Sequence, residues 1–174
     1  RVLASRLGII NRMRFTGIKY SKNMDYNQMN DVYNAMDVFF LSTSGEGFGI
    51  PIIEAMSAGV PVVATDYTTT EELVTRNNAG IAARLVGTES VSLFDKPSQA
   101  HDLAAVNGTI TGSWMVERGL IDCAHAAEII EQLYKDPALR TELGKNGRRA
   151  AVEKYDWEDV ANRWDAFLTG MIEW

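Results

Sequence analysis

The sequence predicts an α/β fold built on a parallel sheet flanked by helices. Two observations carry this prediction. Val38-Phe39-Phe40-Leu41 and Val62-Val63-Ala64-Thr65 are continuous apolar runs, as expected of strands covered on both faces. Around them apolar residues recur at helical spacing, and strands that alternate with helices form parallel sheets.

The elements follow in chain order. Val2, Leu3, Arg6 and Leu7 read as a helix already under way, stopped by Gly8. Because Arg1 rather than Met opens the chain, the sequence reads as a fragment or a truncated reading frame. Met13 to Thr16 is predicted as a strand ending at Gly17. Met29, Val32, Tyr33 and Met36 repeat at i, i+3, i+4 and i+7, an amphipathic helix. After the Val38–Leu41 strand, Pro51 to Ala58 is predicted helical, with Pro51 in the first position and Gly59 closing it. Val62 to Thr65 is the next strand, Thr70 caps a short helix through Val74, and Ile81 to Leu85 is the last strand.

From about Val86 to Leu120 the periodicity dissolves into Ser, Thr, Gly, Asn and a lone Pro97, which predicts an insertion loop. Helices resume over about 122–172. One carries the stripe Ala126, Ile129, Ile130, Leu133, Tyr134; the next opens at Asp136-Pro137 with Leu139 and Leu143. Asp156 caps the last, whose Trp157, Val160, Ala161, Trp164, Leu168 and Met171 share one face and are expected to be core.

At 174 residues the chain is one domain by length, large enough for a real core. Its 46% hydrophobic and 23% charged content is ordinary for a soluble protein. No apolar run approaches the ~18 residues of a membrane span, and no secretory signal opens the chain. The single cysteine, Cys123, excludes an internal disulfide framework and fits a reducing cytoplasm. Residues 1–60 carry six Lys/Arg against five Asp/Glu, and residues 61–174 eleven against eighteen. With no basic face evident, no nucleic-acid partner is expected. Cys123 and His125 lie two apart without a second ligand pair, and His101 is isolated, so no metal is expected.

The chemistry concentrates in Glu46-Gly47-Phe48-Gly49-Ile50-Pro51-Ile52-Ile53-Glu54. Two glycines bracket a phenylalanine where the chain turns into a helix. The free amides of Gly49 and Ile50 then form an anion site suited to a phosphate or diphosphate. Glu46 and Glu54 flank it. Carboxylates are poor phosphate ligands but good acceptors for sugar hydroxyls, so the implied ligand is a nucleotide-sugar. Each of these residues also has a plain structural reading. The acids fit a solvated loop and a helix N-terminus, the glycines a tight turn, and Phe48 either a core plug or a pocket wall.

At these residues the chain resembles the retaining glycosyltransferases of family 4 (group 1), which have the GT-B fold. Their donor-binding half carries a Glu-x7-Glu signature, matched here by Glu46-Gly47-Phe48-Gly49-Ile50-Pro51, Glu54-Ala55-Met56 and Gly59-Val60-Pro61-Val62-Val63-Ala64. Weaker similarity runs from Arg14-Phe15-Thr16-Gly17 through Asp136-Pro137-Ala138-Leu139-Arg140 to Tyr155-Asp156-Trp157. The resemblance implies a Rossmann-like sheet, the C-terminal half of a GT-B fold, incomplete here and ending in a helical tail. It places the donor sugar at Glu46, Gly47, Phe48 and Gly49, the phosphates at Gly49 and Ile50, and the ribose at Glu54. The turn Gly17-Ile18-Lys19 corresponds to a nucleobase contact. Glu72 aligns with a family glutamate that follows a Gly-Gly turn, but here Thr68-Thr69 replace the glycines, which questions close backbone approach.

The resemblance also implies retaining, metal-independent transfer without a cofactor, from a nucleotide-sugar donor to a glycan, lipid or small-molecule acceptor, in polysaccharide or glycoconjugate biosynthesis. The family's acceptor domain and its catalytic residues have no counterpart in this sequence, so the chain alone is expected to be inactive. Two alternatives stand beside this: a non-catalytic nucleotide-sugar-binding or assembly module, and a GT-B nucleotide-sugar epimerase. Without the family's central first strand, either the remaining strands close into a smaller sheet or two chains cover each other as a homodimer, which is the expected outcome.

Overall fold

The computed structural model describes residues 2–14, 24–92 and 115–172, which fall into two units, Arg1–Val32 and Tyr33–Trp174. The first unit holds helix α1 (Val2–Arg6), a 3₁₀ turn (Ile10–Arg12) and most of α2 (Tyr26–Asn34). Met13 is extended but belongs to no described strand. The rest of the strand predicted there, and the turn Gly17-Ile18-Lys19, lie largely or wholly outside the described residues, as do Pro97 and His101.

The second unit is built on β1 (Phe39–Leu41), β2 (Val62–Thr65) and β3 (Gly80–Ala83), a parallel sheet in the order β1-β2-β3. Val63 pairs with Phe40 on one side and Ile81 on the other. All four residues of β2 are buried, which is why the sequence shows no alternation there. On one face Val63 and Ala83 pack with Ala126, Ile129 and Leu133 of α4 (Cys123–Lys135) and with Leu143 of α5 (Pro137–Lys154). Val62 and Ala64 point the other way and are fully covered too.

Helix α3 (Ile50–Ser57) connects β1 to β2, and Ile52, Ala55 and Met56 are its buried side. It begins one residue before the expected start, so Pro51 is its second residue; the missing N–H still falls among the unpaired donors of the first turn. Helix α5 lies against it through Gly144, where an added Cβ would overlap the carbonyl oxygen of Gly59.

Four expectations are corrected. The stretch after β3 is not all irregular: β4 (Leu85–Ser92) and β5 (Met115–Ile121) form an antiparallel pair. Val86, Val116 and Leu120 are exposed, so neither strand carries the alternation that marks a half-buried one. The strand expected over Ile81–Leu85 ends at Ala83, and Leu85 opens the hairpin. Thr70 makes no side-chain cap; the turn it precedes, Glu71–Thr75, is π-helical. Finally, α6 (Trp157–Ile172) is capped by Asp156 as expected, but its apolar stripe is not core. Trp157 is 82% exposed, and Trp164, Leu168 and Met171 are at least half exposed. Helical spacing reveals a stripe, and burial depends on what lies against it.

Candidate functional site

The site lies at the carboxyl edge of the parallel sheet, where ligands sit in open α/β folds. β1 runs out into Thr43–Phe48 and β2 into Asp66–Thr69. Gly49 closes the first loop as the residue before α3, with φ of 93° and ψ of 44°. This left-handed geometry favours glycine, and a Cβ there would press on Leu73 Cδ1 at 3.0 Å and Thr69 Oγ1 at 3.3 Å. No side chain caps the helix. The Gly49 carbonyl accepts from the amides of Ile52 and Ile53 at 2.9 and 3.4 Å, leaving the Gly49 and Ile50 amides without an acceptor among the described residues. The Thr69 hydroxyl beside them is buried and unpartnered as well. Uncommitted donors at a helix N-terminus form an anion site.

Glu46 and Glu54 stand in the loop and the second turn of α3, both half-buried. Glu46 is held through its amide, which donates to Thr68 Oγ1 at 3.0 Å, while that hydroxyl donates to the Tyr67 carbonyl at 2.8 Å. Thr68 takes φ of 53°, so it keeps a glycine-like backbone at the position where the resembled family has glycine. This is an uncommon conformation for a β-branched residue, and the two hydrogen bonds offset it. Glu72 is exposed at the start of the π-helical turn. The Phe48 ring is not a core plug: it is 52% exposed and edge-on to Tyr155 at 6.4 Å. His125 accepts the Arg84 amide on Nδ1 at 3.1 Å. Among the described residues no group of three or more His, Cys, Asp or Glu is placed to hold a metal.

In the sequence Tyr33 is only one position of a helical stripe. Its hydroxyl donates to Glu54 Oε2 at 2.8 Å, and its ring tilts against Phe39 at 5.8 Å. The residue is 6% exposed. Burial, then the hydrogen bond to Glu54 and its charge, push the phenol well above its ordinary value, so it stays a donor through neutral pH. One Glu54 oxygen is thereby fixed and the other remains available. Tyr33→Phe is expected to cost about 0.5–1.5 kcal/mol at neutral pH. A phenol raised in the folded state stabilises fully below its unfolded value of about 10 and loses that contribution as pH rises beyond it. The variant should therefore show a shallower alkaline loss of stability than the parent; parallel urea titrations at pH 7 and 11 check this.

At the far side β3 passes into the hairpin over Arg84. Its guanidinium pairs with Asp122 at 2.8 Å, while Asp122 caps α4 by accepting from the amides of Ala124 and His125. The His125 amide, then Arg84, holds the Asp122 carboxyl below the usual range. A cavity of about 500 Å³ opens between the hairpin and the Thr43–Glu46 and Tyr67–Thr68 segments. A larger hollow of about 590 Å³, lined by Gly59 and by Lys145, Arg148 and Arg149 of α5, lies at the opposite, amino edge of the sheet.

Residues 1–96 match the family model described as "Glycosyl transferases group 1". The chain belongs to the group 1 glycosyl transferases. CapM, the capsular polysaccharide biosynthesis glycosyltransferase of Staphylococcus aureus, is 29% identical to this group 1 chain over 140 residues. The match covers 78% of this chain and 28% of CapM. MMP alpha-(1->4)-mannosyltransferase of Mycolicibacterium hassiacum is 32% identical over 116 residues, covering 67% of this chain and 20% of that protein. Among solved structures, sucrose-phosphate synthase from Thermosynechococcus elongatus aligns with a TM-score of 0.69 at 21% identity, over 99% of this chain and 33% of that one. WaaG, a glycosyltransferase involved in lipopolysaccharide biosynthesis, aligns with a TM-score of 0.58 at 18% identity, over 88% of this chain and 30% of that one. The chain thus spans about a third or less of the length of these relatives. Its fold is the α/β, helix-flanked parallel sheet of GT-B glycosyltransferases. No helix among its described residues is long and apolar enough to cross a membrane.

Proposed function

We propose that this chain binds a nucleoside-diphosphate sugar at the carboxyl edge of its sheet, as the donor-binding part of a retaining glycosyltransferase. The observation that carries the reading is the uncapped N-terminus of α3, with the Gly49 and Ile50 amides uncommitted and Glu46 and Glu54 on either side. The diphosphate lies over those amides. Glu54, oriented by Tyr33, accepts from the ribose hydroxyls, and the sugar lies along Glu46, Gly47, Phe48 and Gly49. Transfer to a glycan, lipid or small-molecule acceptor is expected without a metal, the backbone amides supplying part of the positive charge that offsets the leaving diphosphate.

Several relatives carry mannosyltransferase names, among them the GDP-mannose-dependent alpha-mannosyltransferase of Mycobacterium tuberculosis, 30% identical over 107 residues. GDP-mannose and UDP-glucose are therefore the first probes. Calorimetric titration of the chain with each, beside GDP and UDP, should give saturable binding in a metal-chelating buffer. No binding of any of the four up to millimolar concentration would sink the reading. Binding without transfer, when acceptors are offered to any longer protein that carries this chain, would favour a non-catalytic module.

A further inference from the structure

The hairpin β4–β5 has no place in the reading above, yet it is tied to the loops that build the site. The Gly119 amide donates to the Ser44 carbonyl at 2.9 Å. Tyr67 donates its hydroxyl to the Glu117 carbonyl at 3.3 Å, and Gly119 sits against the Tyr67 ring. At its base the hairpin is fixed by Arg84 and Asp122 and by pairing of Leu85 with Ile121. Two loops at the carboxyl edge of the sheet and one strand of the hairpin thereby line the open cavity of about 500 Å³. That volume is within the range of small-molecule sites, roughly 300–1,000 Å³.

The lining is polar and mixed in charge. Glu46 comes from the loop, and Glu117 and Arg118 from β5. None of these three side chains is paired with another group among the described residues. Arg118 is the one cation among the lining residues. Two carboxylates accept hydroxyl protons, and a guanidinium donates a planar fork to hydroxyl oxygens. Their summed charge is negative, which repels an anionic sugar, and their donors and acceptors match a hydroxyl-rich pyranose without an acid group.

We propose that β5 forms the outer wall of the donor-sugar subsite, with Glu117 and Arg118 contacting a neutral pyranose and setting which sugar is accepted. This rests on the nucleotide-sugar reading and adds a wall to it. The test compares, for the whole chain, the affinity for GDP-mannose with that for GDP, and UDP-glucose with UDP. The contribution of the sugar is read as the ratio within each pair. Arg118→Ala and Glu117→Gln are expected to change that ratio three- to tenfold for the pair that binds, while affinity for the bare diphosphate stays within twofold of the parent. Both side chains are exposed, and circular dichroism confirms that the variants fold. An unchanged ratio in both variants overturns the wall. A parallel loss for diphosphate and sugar-nucleotide overturns it too, since that pattern marks a general disturbance. Failure of the parent to bind any of the four ligands instead removes the nucleotide-sugar reading, and this inference with it.

Discussion

Gly144→Ala is expected to destabilise the chain by about 3 kcal/mol or more, the upper end of what overpacking costs. The reason is the partner. A β-carbon at 144 meets the carbonyl oxygen of Gly59, a backbone atom that no rotamer change can move aside. Helix α5 would have to lift away from the turn between α3 and β2, exposing Leu143, Gly147 and Ala150 on its buried side. Gly170→Ala is the internal control. It lies within α6 and has nothing within 4 Å of the added carbon, so the change should stabilise by about 0.5–1 kcal/mol through helix propensity. Urea unfolding of the two variants beside the parent reads both signs. Equal midpoints would mean that α5 does not rest on the Gly59 turn.

Glu54→Ala should weaken donor binding by about 1.5–3 kcal/mol, roughly tenfold or more, the usual loss of a charge-assisted hydrogen-bonding group. If Glu54 holds the ribose, the loss appears equally for a nucleoside diphosphate and for its sugar conjugate, because both carry the ribose. Glu46→Ala should act on the conjugate alone. The substitution at 54 also leaves the Tyr33 hydroxyl without its acceptor, so part of any stability loss belongs to that pair. Calorimetry with GDP and GDP-mannose, and with UDP and UDP-glucose, separates these cases. Unchanged affinity in Glu54→Ala would remove the ribose assignment.

The parts of the fold that were legible in the sequence are those where one segment states its own environment. β2 is apolar at every position because both its faces are covered. α3 announces itself through Gly49 before it, Pro51 in its first turn and Gly59 after it, the last at φ of 74°. Asp136 and Asp156 cap the helices they were expected to cap. What stayed hidden depends on distant residues. The hairpin strands are exposed at most positions, their apolar ones included, and so show no period to detect. The stripe of α6 was correctly helical, but nothing in its spacing tells whether another surface lies against it. At the site, the glycine loop and its two acids were readable from their order. The Tyr33–Glu54 bond joins residues 21 apart, and the approach of Glu117 to Tyr67 spans 50. No local pattern reports such pairings. Thr68 is a middle case: the sequence has threonine where the resembled family has glycine, and only the backbone shows that this threonine takes the left-handed region.

The same long spans bear on when the cavity comes into being. Contacts between residues far apart in sequence pay loop-closure entropy before they return any stability, so they form late. The parallel sheet through β3 needs only residues up to 83, whereas the wall at Glu117 and Gly119 waits for the chain to return through β5. The turn at Gly49 is thus closed by residues nearby in sequence, and the wall beside it by residues 50 or more positions away. A ligand that bridges loop and hairpin binds only the finished arrangement, and by mass action it holds closed the contact that forms last.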